Sequence, residues 1–504
     1  MTTLVEKPAV SGTRNEPGGA FKAVLALALF ESRRLLTRIP VLLAFTVYVG
    51  WTVWRAGRAW GDYPALQDAD RATQGAPMLV GLAVLLSVNQ AALRSRRHGT
   101  ERHFAVLVLP HWCRTAAHAL SVAAAALVTA VCVAGQFGRE ALRPGAIGQG
   151  SVAELLVGPL TVLLFGLAGL LVAGLVRSAL VAPLLVVLFL FLFLFFSGLD
   201  YGARWLLPVV EEATSNTLPS DLMGRPAAWH ALYLAGLALL LGLVAVLVTG
   251  GRKPAVFAGA AGALALTLVG GVAQSAGDSP ELVEARERAT VHPEQVQSCV
   301  RRDGSTYCAF PEWGPRVGDW AAVVDRVRSL AGGSAHEQAV VVRQRVDARY
   351  GLSGDAALES LKRPHEVTVG TQWGGNRVPE FSAAVAGVLI AGDEEAATSI
   401  CDGRIVPLMW LAVGWESDPL DALRRVRLND TVTGSDSVLQ PTNGLYMTEA
   451  QTEVLRALLD LPRAEAGARV KDRWGELTAP KITAARAAGL LGLPAPEGED
   501  KCLS

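Results

Sequence analysis

Several absences narrow this 504-residue chain before anything that is present. No G-x-x-x-x-G-K-[ST] run exists to cradle phosphates. The nearest stretch, Gly250-Gly251-Arg252-Lys253-Pro254, lacks the first glycine, the spacing and the hydroxyl. His336-Glu337 is not followed by the second histidine of H-E-x-x-H, and no G-x-S-x-G elbow occurs, so no catalytic residue is assigned. No C-x-x-C spacing is found, and His292 and His336 form no ligand pattern, so neither a metal nor another cofactor is expected. The first 20 residues are polar and carry Gly and Pro, without an apolar core and A-x-A-like site; a cleavable signal peptide is not expected. No nucleic-acid partner is expected. Residues 276–504 lack any long apolar run.

What is present is concentrated in residues 1–275. A membrane crossing needs about 20 mostly apolar residues to cover roughly 30 Å of hydrocarbon. Seven segments qualify: Ile39–Trp54 (extended inward by Leu35-Leu36), Ala76–Leu93, Thr115–Gln136, Val152–Val176, Ala179–Tyr201, Ala228–Gly250 and Pro254–Gln274. The expected fold class is therefore a polytopic α-helical membrane protein with seven transmembrane helices and a mainly helical extracytoplasmic C-terminal domain. The expected domains are 1–38, 39–275 and 276–504.

Basic residues in short loops orient such a bundle. With the N-terminus inside, segments 1–38, 94–114, 177–178 and 251–253 hold 14 Lys+Arg, and the opposite loops 55–75, 137–151 and 202–227 hold 7. The twofold bias predicts a cytoplasmic N-terminus, and an odd number of crossings puts residues 276–504 outside. Overall neutrality hides this division: residues 1–275 carry 21 Lys+Arg against 13 Asp+Glu, the remainder 25 against 33.

The cysteines bear on the same placement. Cys299 and Cys308 bracket a hairpin-like Arg-Asp-Gly-Ser, and Cys401 and Cys502 are the other two beyond the membrane part. Four cysteines allow three pairings; 299–308 is favoured by the hairpin, leaving 401–502, and the alternative is four buried free thiols. Cys113 and Cys132 read as packing residues.

Two stretches on the expected cytoplasmic side stand out. In Ala20–Arg38, Phe21, Val24, Leu25, Ala28, Leu35 and Leu36 recur at helical spacing, with Lys22, Glu31, Arg33, Arg34 and Arg38 largely elsewhere. This fits an interfacial helix against anionic lipid, or a basic flank that only sets topology. Arg94–Arg114 is the longest basic loop; its apolar middle, Phe104–Leu109, is too short to cross, and Thr100 is placed to cap a short helix beginning at Glu101. Such a loop serves as a dock for a soluble partner, or merely as a topology signal.

The order of interfacial helix, two spans, a basic loop with R-R-H-G-T-E followed by L-x-L-P, then further spans resembles the permease subunit of ABC-2-type ABC exporters over roughly residues 20–250. The resemblance implies an ATPase-coupling loop at Arg97, Gly99, Thr100, Glu101 and Pro110. It also implies a separate ABC ATPase subunit that binds the ATP, a homo- or heterodimer of permeases, and a bacterial cell-membrane location. The chain departs from that family in its seventh span and its C-terminal domain. The loop Gly202–Ala227, with Trp205, Leu206, Leu207, Val209 and Val210, reads as a partly re-entrant or interfacial outer element, as this family often has.

Ionisable or amide side chains near the spans mark a translocation path or interfacial anchors: Asn89, Gln90, His118, Glu154 and Asp200, with Glu154 and Asp200 placed where interface water reaches. No mid-membrane carboxylate of a proton-coupled carrier is present. Gly166, Gly169, Gly174 and Ala123–Ala126 suit close helix contact.

In residues 276–504 the periodicity predicts helices at Pro280–Val291, Trp320–Leu330, Ala335–Tyr350, Asp355–Leu361, Thr448–Leu461 and Pro480–Leu491. Strands are expected only at Thr306–Phe310 and Glu366–Thr371. Phe381–Ala391 and Ile405–Gly414 read as buried core helices, with an extra membrane hairpin as the alternative. Glu394 and Glu395 look like a solvated helix face, and the tryptophans at 313, 320, 373, 410, 415 and 474 like core or a substrate-binding surface. Three functions are left: an exporter permease, a non-transporting protein that displays a sensor or binding domain, and a membrane-tethered hydrolase.

Overall fold

The computed structural model describes residues 17–58, 64–100, 109–176, 178–197, 204–210, 217–351 and 358–501. Among the described residues the α-helices of the first half are α1 (Pro17–Leu36), α2 (Ile39–Arg58), α3 (Leu66–Arg71), α4 (Gly75–Ala92), α5 (Arg94–Arg97), α6 (His111–Ala141), α7 (Val152–Leu175), α8 (Val181–Ser197), α9 (Ala227–Val248) and α10 (Pro254–Gln274). Uninterrupted helix is what the apolar composition demands, since hydrocarbon offers backbone amides no other partner.

Six described helical stretches are long and apolar enough to cross a membrane: Ile39–Ala56, Leu66–Ala92, His111–Ala141, Val152–Leu175, Ala227–Val248 and Pro254–Gln274. The apolar run expected to span Ala179–Tyr201 forms a shorter helix, α8, of 17 residues; residues 198–203 lie outside the described part. α6 is longer than expected, 31 residues against the apolar 115–136. Polar Gln136, Arg139 and Glu140 carry it outward, with Gln136 accepting from the Tyr48 hydroxyl (3.2 Å) and Arg139 pairing with Glu140 (2.7 Å).

α4 and α7 occupy the centre of the bundle, where Val80, Val84, Val157, Val162 and Leu167 are buried together. Small residues set that contact: a Cβ at Gly169 would stand 2.4 Å from the Leu85 carbonyl oxygen, and one at Gly166 would stand 2.4 Å from Val122 Cγ1. Gly174, by contrast, has ordinary room, with Val248 3.7 Å away, and of Ala123–Ala126 only Ala125 is fully buried. The outer helices keep apolar faces outward, Leu43 and Val53 on α2, Phe191 and Leu194 on α8, and Leu268 and Val272 on α10, the distribution expected against lipid.

The helix connections sort into two ends. At one, Leu66 N donates to Ile147 O (2.8 Å) and Gln149 N to Ser220 Oγ (3.2 Å). Residues 276–501 attach at this end, called here the domain end. Glu312 accepts from Ser220 N (3.1 Å) and Gln67 Nε2 (3.4 Å); Arg286 donates to Leu222 O (2.8 Å) and Met223 O (2.9 Å) and pairs with Asp278; Arg316 donates to Gly145 O. Ile147, Leu218, Leu222 and Met223 join the same apolar core as Trp313 and Trp320. At the opposite, basic end, Lys253 lies over Trp112 (4.6 Å) and Arg96 donates to Ala173 O (3.3 Å).

The C-terminal part continues with α11 (Pro280–Val291), β1 (Ser298–Arg302), β2 (Ser305–Ala309), α12 (Val317–Leu330), β3 (Val341–Gln344), β4 (Glu366–Val369), α13 (Arg377–Ala391), α14 (Glu394–Thr398), α15 (Ile405–Val413) and α16 (Pro419–Val426). It closes with β5 (Asp436–Val438), β6 (Leu445–Met447), α17 (Glu449–Leu459), α18 (Arg463–Asp472), α19 (Trp474–Leu477) and α20 (Ala484–Leu491). β1 to β4 form one sheet in sequence order, antiparallel between β1 and β2 and parallel beyond.

The sheet corrects the helical reading of Ala335–Tyr350. Gly333–Glu337 is a 3₁₀ turn, and Val341–Gln344 is a strand paired on both edges. Its β-branched Val341 and Val342 favour the extended form, and four residues alternating between half-buried and buried are too short a run to outweigh a helical period. Residues 358–361 are not helical, and 352–357 lie outside the described part. The last helix starts at Ala484 rather than Pro480, because Thr483 is its cap and accepts from Arg486 N. Thr448 caps α17 as expected, in a reciprocal capping box with Gln451.

Phe381–Leu389 and α15 are buried in the C-terminal core, which removes the membrane-hairpin alternative. Glu394 is likewise buried and not on a solvated face. It accepts from Thr368 N (2.5 Å) and Leu361 N (2.9 Å), and burial raises its pKa. Glu395 is half-buried and paired with Lys362 (2.9 Å). Trp313, Trp320, Trp373 and Trp410 are core residues; Trp415 lies under Arg326 and Trp474 packs beside Gly332.

Candidate functional site

The basic end is organised around the seam between α1, α4 and the start of α2. α1 does not stand apart as a surface helix: Ala28, Glu31 and Leu35 are buried, and Ser32 Oγ reaches Ser121 O on α6 (3.5 Å). Its other face keeps Phe21, Leu25, Leu29 and Phe30 exposed. Glu31 accepts twice from Arg94 (3.1 and 3.2 Å), which fixes the α4–α5 corner against α1. Arg38 donates to Ser87 O (2.7 Å), and burial followed by the guanidiniums of Arg94 and Arg34 lowers its pKa. Between these elements lies an open cleft of about 360 Å³ lined by Arg38, Ile39, Pro40, Gln90, Arg94, Arg97 and His98.

Of the expected coupling residues, one lines this cleft and one lies outside the described part. Arg97 lines it. Gly99 has φ +65° and open space around it, so it turns the chain away from α5 in the left-handed region that glycine adopts without strain. The helix that Thr100 was expected to cap, from Glu101, lies outside the described residues; the Thr100 backbone N and hydroxyl both donate to Ser95 O (3.0 and 3.3 Å), closing α5 behind it. Pro110 starts α6, its carbonyl accepting from Cys113 N and Arg114 N. Glu101 lies outside the described residues.

The residues assigned to a translocation path are not brought together. Asn89 is buried and donates to Gly169 O (3.1 Å), fastening α4 to α7. Gln90, one residue on, faces the basic cleft. His118 on α6 is near Glu31, Arg94 and Arg38. Glu154 lies at the opposite end, and Asp200 is outside the described residues.

Glu154 also corrects the expectation of interface water. It is 4% exposed and held by Arg225 and by the amide of Gln74. Arg225 in turn donates to Val210 O (3.3 Å) and lies over the Trp205 ring. The same region contains Gln274, donating to Trp205 O (2.7 Å), and His230, bonded to Gln274 Oε1 (2.9 Å). Together they clamp residues 204–210 into the bundle, where Trp205, Val209 and Val210 are buried. The described residues 204–210 are thus inserted into the bundle at the domain end. Arg225, Gln74, His230 and Gln274 escaped the sequence reading; the only signal was that an Arg just before one apolar segment and a Glu just inside another fall at the same end.

Cys299 and Cys308 form a disulfide across paired positions of β1 and β2. Cys401 is disulfide-bonded too, while Cys502, its expected partner, lies outside the described residues. Cys113 and Cys132 are free. Among the described residues no group of three or more His, Cys, Asp and Glu is placed to hold a metal ion. Comparison with protein-family models, with curated proteins and with solved structures finds no match.

Proposed function

We propose that this chain is the permease subunit of an ABC-2-type exporter, which moves a substrate outward on ATP hydrolysed by a separate ATPase subunit. The observation that carries the reading is the corner Arg94–Thr100. It sits at the end of the bundle opposite residues 276–501, braced by Glu31 of α1, and Gly99 ends it in the left-handed turn that glycine adopts without strain. A soluble motor needs such a firm, membrane-proximal lever to act on helices. The excess of basic residues at this end makes it cytoplasmic. α8 supplies the seventh crossing: 17 residues cover about 25 Å, short of the hydrocarbon thickness by an amount that local thinning accommodates. Residues 276–501 are then extracytoplasmic, in keeping with the Cys299–Cys308 disulfide.

The test is purification of the tagged full-length chain in mild detergent. A stoichiometric ABC ATPase is expected to accompany it and to be lost from Gly99→Val and Pro110→Ala variants that still fold. A reproducible absence of ATPase would reject the reading.

A second reading is favoured by one observation, the scattering of Asn89, Gln90, His118 and Glu154 over both ends of a close-packed bundle. In it the chain transports nothing and displays the C-terminal part as a sensor or binding module. Unchanged export in a deletion strain, with an altered cell envelope, distinguishes it.

A further inference from the structure

The basic cleft has properties that neither a topology signal nor a motor dock requires. Its lining is cationic from two elements, Arg38 at the α1–α2 corner and Arg94 and Arg97 on α5, with His98 just after it. Among the described residues, the carboxylate beside these cations is Glu31, paired with Arg94. Arg38 uses one nitrogen on Ser87 O, and among the described residues Arg97 has no side-chain hydrogen-bond or ion-pair partner. Gln90 adds an amide that both donates and accepts. Planar guanidiniums grouped in this way match the oxygens of a phosphate ester.

The position of the cleft selects the kind of phosphate. The apolar stretch of α2 begins at Ile39, immediately after Arg38, and that of α4 ends at Ala92, two residues before Arg94. The cations therefore ring the level at which the hydrocarbon stops and headgroups begin. From the same level Ile39, Leu42 and Leu43 run along α2 with most or half of their surface exposed (80%, 50% and 61%), an apolar track that starts at the lip of the cleft. A bound molecule with its phosphate among Arg38, Arg94 and Arg97 has its chains on that track.

We infer that the cleft is a binding site for the phosphate of an anionic phospholipid headgroup, held by Arg38, Arg94 and Arg97, with the acyl chains along the exposed face of α2. This rests on the six apolar helices crossing a membrane and not on the exporter reading, so it stands if no ATPase is ever found.

The experiment is native mass spectrometry of the full-length protein released from detergent after incubation with phosphatidylglycerol or phosphatidylcholine, with and without millimolar inorganic phosphate. Phosphatidylglycerol is expected to be retained in preference to phosphatidylcholine. Arg97→Gln, at an exposed side chain, is expected to lower retention about fivefold, the worth of one basic residue at a membrane surface. Arg139→Gln at the domain end serves as the control and leaves retention unchanged. Arg38→Lys keeps the charge and is expected to retain more than Arg38→Gln. If inorganic phosphate displaces the lipid fully, the site takes a soluble phosphate instead; if it does not, the membrane is the source. Equal retention of the two lipids, or equal loss in Arg97→Gln and Arg139→Gln, overturns the proposal.

Discussion

Glu154 and Arg225 are 71 residues apart in sequence and meet as an ion pair whose side chains are 6% and 3% exposed. Removing one partner leaves the other buried and uncompensated, which costs about 3–5 kcal/mol, whereas replacing both by apolar groups of similar volume is often neutral or better. Arg225→Met and Glu154→Leu are each expected to lower the thermal midpoint in detergent sharply, and the double variant to recover most of the loss. Additive losses would show that the pair does not act as a unit.

The α4–α7 contact offers a second contrast, between two glycines of one helix. Gly169→Ala sets a methyl group against the Leu85 backbone, which cannot swing aside, and overpacking of this kind costs about 1–3 kcal/mol. Gly174→Ala meets nothing closer than 3.7 Å and is expected to be neutral. Comparing the two unfolding midpoints under identical conditions checks this directly.

Alkylation without reductant is expected to modify Cys113 and Cys132 in the unfolded protein and to leave Cys299 and Cys308 unmodified, as read by peptide mass spectrometry. The double variant Cys299→Ser/Cys308→Ser is expected to lose about 2–3 kcal/mol, the loop-closure entropy of a nine-residue separation. Modification of Cys299 before reduction would contradict the pairing.

Asp402 gives the C-terminal part an acid-sensitive joint. Burial works against its charge, but hydrogen bonds from the side chain and backbone of Arg404 and from Lys481 N prevail, so its pKa falls below the ordinary 3.8. A depressed folded value means that its contribution is complete above the ordinary pKa and disappears as pH falls through the folded one. Asp402→Asn is therefore expected to destabilise at neutral pH, with the gap to the parent protein closing in denaturant titrations taken below about pH 4.

Much of the membrane part was legible because hydrocarbon-crossing helices are specified by composition alone. Pro254–Gln274 was read to the residue, and Ala227–Val248 lies within two residues of its expected bounds. α6 ran past its apolar segment because Gln136, Arg139 and Glu140 find partners that keep them helical, which hydropathy does not record. In the C-terminal part the hairpin with its two cysteines was readable from turn residues. β3 was not, since Val340–Val342 sits among residues of mixed helical character and gains its strand form from β2 and β4. The candidate site was legible by position only. Arg97 and Gln90 could be placed on the basic end, but their grouping with Arg38 depends on α1 folding back along α6. Glu154 was misread for the same reason: Arg225 becomes its neighbour only in three dimensions.

The 31 residues of α6 make a single rod about 46 Å long, roughly half as long again as the hydrocarbon it crosses. Its foot is Pro110, where the basic loop enters, and its head is tied near Ala72 and Ala56 by Gln136 and Arg139. An inclination of about 10° at the foot carries the head some 8 Å sideways by simple geometry on that length. The two faces of the membrane are thus joined by a stiff spoke, and a push delivered at one surface is felt at the other without any side chain having to relay it.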